Sequence, residues 1–135
     1  MKVVVVDDSA LLRERLVSMI SELPGITTIG QAQDASQAMN TVQKLNPDVV
    51  ILDIRLSDGN GIEILQQIKK KSTAPVTIMF TNYPYPQYRK KCEETGADFF
   101  FDKSTEFHKI TGVLKKISQE LEEKSNKKKN KKYKI

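Results

Sequence analysis

Three runs of apolar, mostly β-branched residues stand out along the chain: VVVV at 3–6, VVIL at 49–52 and VTIMF at 76–80. None alternates with polar residues, which is the pattern of central parallel strands covered on both faces. Weaker candidates at 26–30 and 98–101 complete a set of five. Between the runs, apolar residues recur at helical spacing: Leu12, Leu16, Met19, Ile20 and Leu23, then Ala35, Ala38, Met39, Val42 and Leu45, then Ile64, Leu65 and Ile68. Pro24-Gly25, Asn46-Pro47, Thr73-Ala74-Pro75 and Gly96 fall where helices should hand over to strands. Pro84 and Pro86 delay the fourth helix to about residue 86. A fifth stretch, Phe107, Ile110, Leu114, Ile117 and Leu121, forms one apolar stripe, with Ser104 expected as its N-cap and Glu106 in its first turn. That stripe suits packing against the sheet better than a dimer seam, because a parallel sheet needs cover on both faces.

Strand and helix alternate throughout, so the predicted class is α/β. Five βα units with right-handed crossovers give a doubly wound five-stranded parallel sheet, for which the flavodoxin-like order 2-1-3-4-5 is one of the two common solutions and the one expected. In such a sheet ligands bind at the carboxyl ends of the strands. One domain is predicted over 1–123. Residues 124–135, nearly devoid of apolar side chains, are expected as a disordered lysine-rich tail.

The 135 residues carry a net charge of +5, but its location matters more than its total. Of 22 lysines and arginines, seven lie in 124–135, which leaves 15 against 17 acids in the body. The body is therefore not a basic nucleic-acid-binding domain. The tail could contact polyanions weakly, whether nucleic acid or a membrane surface, with affinity that falls as salt rises. A solvated tail is preferred, because it lacks an amphipathic pattern and has only Tyr133 as an aromatic. A single cysteine, Cys92, excludes an internal disulfide and points to a reducing cytoplasm. Asp7 and Asp8 end the opening apolar run far short of secretory length, and no stretch approaches membrane-spanning length.

Candidate chemistry sits where the strands end. Asp7 and Asp8 follow the first, Asp53 the third, Thr81 the fourth and Lys103 the fifth. Each has an ordinary explanation, such as an N-cap signal in Asp-Asp-Ser, but strands one, three, four and five are neighbours in the predicted order, so these residues converge. Three clustered carboxylates repel one another and call for a cation, and an all-oxygen set suits Mg²⁺. With Lys103 on the other side there is room for a phosphoryl group, with Asp53 as the nucleophile and Thr81 as a hydroxyl donor.

The strings VVVVDDS, VVILDIRLSDGNGIEIL, VTIMFTN and GADFFFDKS closely resemble the receiver domains of bacterial response regulators. The resemblance spans residues 2 to about 121. It implies a phospho-acceptor of two-component signalling, phosphorylated on Asp53 by a sensor histidine kinase or a phosphotransfer protein. It also implies Mg²⁺ bound by Asp8, Asp53 and the main-chain carbonyl of Arg55, with Asp7 acting through water. Lys103 then pairs with the phosphoryl group, and Thr81 is the switch hydroxyl whose movement lets Phe100 repack. Such a protein catalyses only its own phosphorylation and dephosphorylation. Three positions depart from the family pattern. Ser104 stands where proline after a cis bond is usual, Phe100 where tyrosine is frequent, and Asn82 where a small residue is common. Arg55 and Tyr83 occupy positions that tune dephosphorylation, together with Asn82, and their bulk predicts slow self-hydrolysis by excluding water.

Other functions fit less well. A haloacid dehalogenase-type enzyme needs a second aspartate two residues after the nucleophile, where this chain has Arg55. Flavin binding needs a Ser/Thr/Gly-rich loop after the first strand, where DDSALL brings negative charge. With no DNA-binding domain in the sequence, output is expected through protein contact or phosphorelay, from a monomer or a phosphorylation-dependent dimer.

Overall fold

The computed structural model describes residues 1–133, with side chains described as far as residue 128. Five parallel strands form the sheet: β1 (Lys2–Val6), β2 (Thr27–Ala32), β3 (Val49–Leu52), β6 (Val76–Thr81) and β7 (Phe99–Asp102). Their order is β2-β1-β3-β6-β7. Counting sheet strands alone this is 2-1-3-4-5, the order expected. The labels β4 (Arg55–Leu56) and β5 (Gly59–Asn60) belong to a small antiparallel hairpin after β3 that the sequence reading did not anticipate.

Strand periodicity splits the core into two layers. Val4, Val6, Val50, Leu52 and Met79 face α2 (Ala35–Leu45), α3 (Gly61–Lys69) and α4 (Pro86–Thr95), meeting Ala38, Val42, Leu65, Ile68 and Cys92. Val3, Val5, Val49, Ile51, Ile78 and Phe80 face α1 (Ala10–Ser21) and α5 (Lys109–Tyr133), meeting Leu16, Ile20, Ile110, Leu114 and Ile117. The apolar runs lack alternation because both faces are covered.

Helix boundaries follow local chemistry. The Ser9 hydroxyl accepts the Leu12 amide at 3.2 Å, Asp34 the Gln37 amide at 2.8 Å and Asn60 the Ile62 amide at 2.7 Å. Pro86 opens α4, where a missing amide hydrogen costs nothing. Gly96 ends α4 at φ +102°, a conformation open to glycine.

Two expectations about α5 are corrected. The helix begins at Lys109, not near Ser104. Residues 103–105 form a turn in which the Ser104 hydroxyl and amide both donate to Asp102 Oδ1, at 2.6 and 2.9 Å. Glu106 is likewise engaged before the helix starts, accepting the Asp102 amide at 3.1 Å and pairing with Lys109 at 2.7 Å. Short polar side chains here bond backward to the strand end instead of forward into a helix. At the other end, α5 runs on to Tyr133, so the backbone of 124–133 is helical where an irregular tail was expected. Lysine and glutamate are good helix formers, and Glu120, Glu123 and Lys124, Lys127 stand at four-residue spacing, which supports a helix with no apolar face. Residues 134–135 of the expected tail lie outside the described residues.

Candidate phospho-acceptor site

The register of the sheet builds the site. Val6 of β1 stands beside Leu52 of β3, so the next residues, Asp7 and Asp53, leave the sheet side by side. Two backbone bonds hold them there: the Asp7 amide to the Ala32 carbonyl at 3.0 Å and the Asp53 amide to the Val6 carbonyl at 3.1 Å. Thr81 of β6 pairs with Asp102 of β7, and the Lys103 amide donates to the Thr81 carbonyl at 2.9 Å, bringing the lysine to the same edge.

Asp7 and Asp53 are 2 % and 5 % exposed, and the Lys103 side chain 7 %. The ammonium of Lys103 contacts Asp7 Oδ2 and lies 2.7 Å from Asp53 Oδ2. Asp53 Oδ1 accepts the Ile54 amide at 2.7 Å, and Asp7 Oδ1 the Ser9 amide at 2.9 Å. No cis peptide bond occurs among the described residues, and Lys103 reaches both acids with Ser104 following it. Burial pushes the Asp7 carboxyl above its ordinary 3.8, although hydrogen bonds from Lys103 and Ser9 oppose it. Burial would lower Lys103, but its bonds to Asp53 and Asp7 outweigh that and hold the ammonium above its ordinary 10.5. Two buried acids share one cation, so the acids are only partly compensated.

Asp8 is exposed, and oxygens of Asp7, Asp8 and Asp53 all lie within 4.8 Å of one another. An all-oxygen set with surplus negative charge fits a hard divalent cation such as Mg²⁺. Arg55, whose carbonyl was expected to join this set, lies two residues beyond Asp53 and opens the hairpin by pairing with Asn60.

Thr81 is fully buried, and its hydroxyl accepts the Tyr83 amide at 3.1 Å. A hydroxyl that accepts one bond still has its hydrogen to donate. The Arg55 guanidinium lies 3.9 Å from the centre of the Tyr83 ring, joining the loop after Asp53 to the loop after Thr81. Asn82 lines a cavity of about 240 Å³ with Lys103, Ser9, Leu11, Leu12 and Arg15. Phe100 is half-buried against the α2–α4 side of the core, with the Arg89 guanidinium 4.4 Å from its ring centre. Its ring carries no polar atom, so its contacts there are packing contacts.

Three contributors escaped the sequence reading. Gly61 approaches Asp53 so closely that a Cβ there would fall 1.9 Å from the Asp53 carbonyl oxygen. Its place in the DGNG string was the available signal. The Asp58 carboxylate accepts the Ala35 amide at 2.6 Å and the Ser36 amide at 3.2 Å, tying the hairpin to the start of α2. Arg13 Nη1 donates to the Asp7 carbonyl at 2.6 Å. Neither of these last two pairings carries a sequence signature.

Residues 3–115 match the family model described as the response regulator receiver domain. The chain is 35% identical over 124 residues to a protein-glutamate methylesterase/protein-glutamine glutaminase of Alkalilimnicola ehrlichii, covering 90% of this chain and 31% of that protein. It is 33% identical over 121 residues to the sensory transduction protein LytT of Enterococcus faecalis, covering 90% and 49%. The chain thus spans a third to a half of these curated relatives. Among solved structures, the response regulator domain of Thermotoga maritima CheB superposes with a TM-score of 0.77 at 32% identity, covering 88% of this chain and 94% of that one.

Proposed function

Because the chain belongs to the family of response regulator receiver domains, we propose that it is a phospho-acceptor of two-component signalling that takes its phosphoryl group on Asp53. The observation that carries this reading is the single ammonium of Lys103 in contact with the buried carboxylates of both Asp7 and Asp53. With Asp8 beside them, the group has the charge balance to receive a cation and a dianion together.

In the proposed reaction a carboxylate oxygen of Asp53 attacks the phosphorus of a phosphohistidine on a histidine kinase or phosphotransfer protein. A P–O bond forms as the P–N bond breaks, and the bonding electrons leave on the imidazole nitrogen, which takes up a proton. Asp8, Asp53 and the Arg55 carbonyl would hold Mg²⁺ directly and Asp7 through water. When bound, the ion supplies neutralising charge to the phosphoryl oxygens. Lys103 offers an ammonium from the other flank, and Thr81 a hydroxyl hydrogen. Movement of Thr81 toward the phosphoryl group would let Phe100 repack, so the signal would be read by a protein partner on the α4 and β7 side or passed on by phosphorelay. The chain would act in the cytoplasm and would catalyse no reaction beyond its own phosphorylation and dephosphorylation.

Incubation with acetyl phosphate and Mg²⁺, followed by intact mass, tests the assignment. The wild type is expected to gain one phosphoryl group and Asp53→Asn none. Phosphoryl addition that persists in Asp53→Asn would refute it.

A further inference from the structure

Asp8 is the exposed member of the acid cluster, and among the described residues no hydrogen bond or ion pair engages its carboxylate. Asp7, in contrast, is held at four points: by Ala32 through its amide, by Ser9 and Lys103 through its carboxylate, and by Arg13 through its carbonyl. The carbonyl of Asp7 belongs to the planar peptide unit that ends at the Cα of Asp8. A fixed carbonyl fixes that plane, and the Ser9 amide held by Asp7 Oδ1 fixes the next peptide, so the two together set the direction in which the Asp8 side chain leaves the backbone. Arg13, in the first turns of α1, folds back to do this with a charged donor at 2.6 Å in a half-buried setting.

We propose that Arg13 is a positioning residue for divalent-cation binding, aiming Asp8 by gripping the Asp7–Asp8 peptide unit. The inference rests on the reading of the acid cluster as a Mg²⁺ site. Among the described residues no hydrogen bond or ion pair joins Arg13 to the carboxylates themselves, so it acts through the backbone. Ser9 caps α1 through the Leu12 amide, and the Arg13 amide bonds to the Ser9 carbonyl, so the same turn that starts the helix also sets the loop. Without the grip the Asp7–Asp8 peptide can rotate, and Asp8 spreads over orientations of which few face Asp53.

Calorimetric titration of the full chain with Mg²⁺ alone tests this, in wild type, Arg13→Ala, Arg13→Lys and Arg13→Gln, with thermal midpoints measured in parallel without metal. Arg13→Ala is expected to bind Mg²⁺ about tenfold more weakly, the scale seen when an outer-sphere partner of a ligand is lost. Arg13→Gln, neutral but still a donor, should recover part of the loss, and so should Arg13→Lys. A purely structural role would lower the midpoint and leave the affinity of the folded protein unchanged. Affinity within twofold of wild type in whichever of the variants fold overturns the proposal. Should the wild type itself take up no Mg²⁺, the reading of the cluster fails, and the role of Arg13 with it.

Discussion

With Lys103 replaced by alanine, the carboxylates of Asp7 and Asp53 would face each other inside the protein with no ammonium between them. Both are almost fully buried, and burial already holds the Asp7 carboxyl above its ordinary value with the lysine present. Removing one partner of a buried ion pair is far costlier than never having built it, because the remaining charge stays desolvated. Lys103→Ala should therefore lose about 3 kcal/mol of stability in urea denaturation without divalent cations. A loss below about 1 kcal/mol would mean that the acids relieve themselves by protonation or by moving apart. Gly61 matters at this scale too, since the 1.9 Å approach of an added Cβ to the Asp53 carbonyl leaves no room for any side chain.

The elements that carry the site are joined by contacts between loops, and two of these can be measured. Arg55 in the hairpin stacks on Tyr83 in the loop before α4, at two of the three positions expected to tune dephosphorylation. If the pair shields the phosphoryl group from water, Arg55→Ala should shorten the lifetime of phosphorylated protein several-fold in a radiolabel chase, and an unchanged lifetime would end that idea. Asp58 ties the hairpin to α2, and its carboxyl is held below the ordinary 3.8 mainly by the Ala35 amide, then by Ser36. A native pKa below the unfolded one favours the charged form in the fold. Its stabilisation is present above 3.8 and disappears as pH falls through the lower native value. Asp58→Ala should accordingly be less stable than wild type at pH 7, with the gap closing on acidification in pH-dependent denaturation curves. A gap that stayed constant through that range would assign the effect to something other than the charge.

At the scale of the whole molecule, α5 is one helix with two environments. Ile110, Leu114 and Ile117 are buried against the sheet, and Leu121 is partly covered, whereas the described residues from 122 to 128 are exposed. Residues 1–123 are proposed as the self-sufficient unit. A chain ended after Glu123 should keep its thermal midpoint within a few degrees and its phosphorylation, and should lose far-UV helical signal. A large fall in midpoint would show that the lysine-rich segment contributes to folding. Salt-sensitive binding to DNA or anionic vesicles that vanished on the same truncation would revive a polyanion role. The α/β class was legible in the sequence because apolar runs of two kinds, unbroken in strands and three-four spaced in helices, report burial directly, whereas the strand order was narrowed only to one of two common doubly wound solutions and was decided by the sheet itself. The convergence of Asp7, Asp53, Thr81 and Lys103 was legible only through that expected order: once the strand order is given, residues at strand ends are neighbours whatever their separation in sequence. Pairings between side chains and distant backbone were not, because any arginine can reach a carbonyl and any aspartate can cap a helix, and only the folded geometry selects one. Arg13 on the Asp7 carbonyl, Asp58 on α2 and Gly61 against Asp53 are of that kind. So is the start of α5, where Ser104 was free by composition to cap a helix and was drawn back to Asp102 by the turn in which it lies.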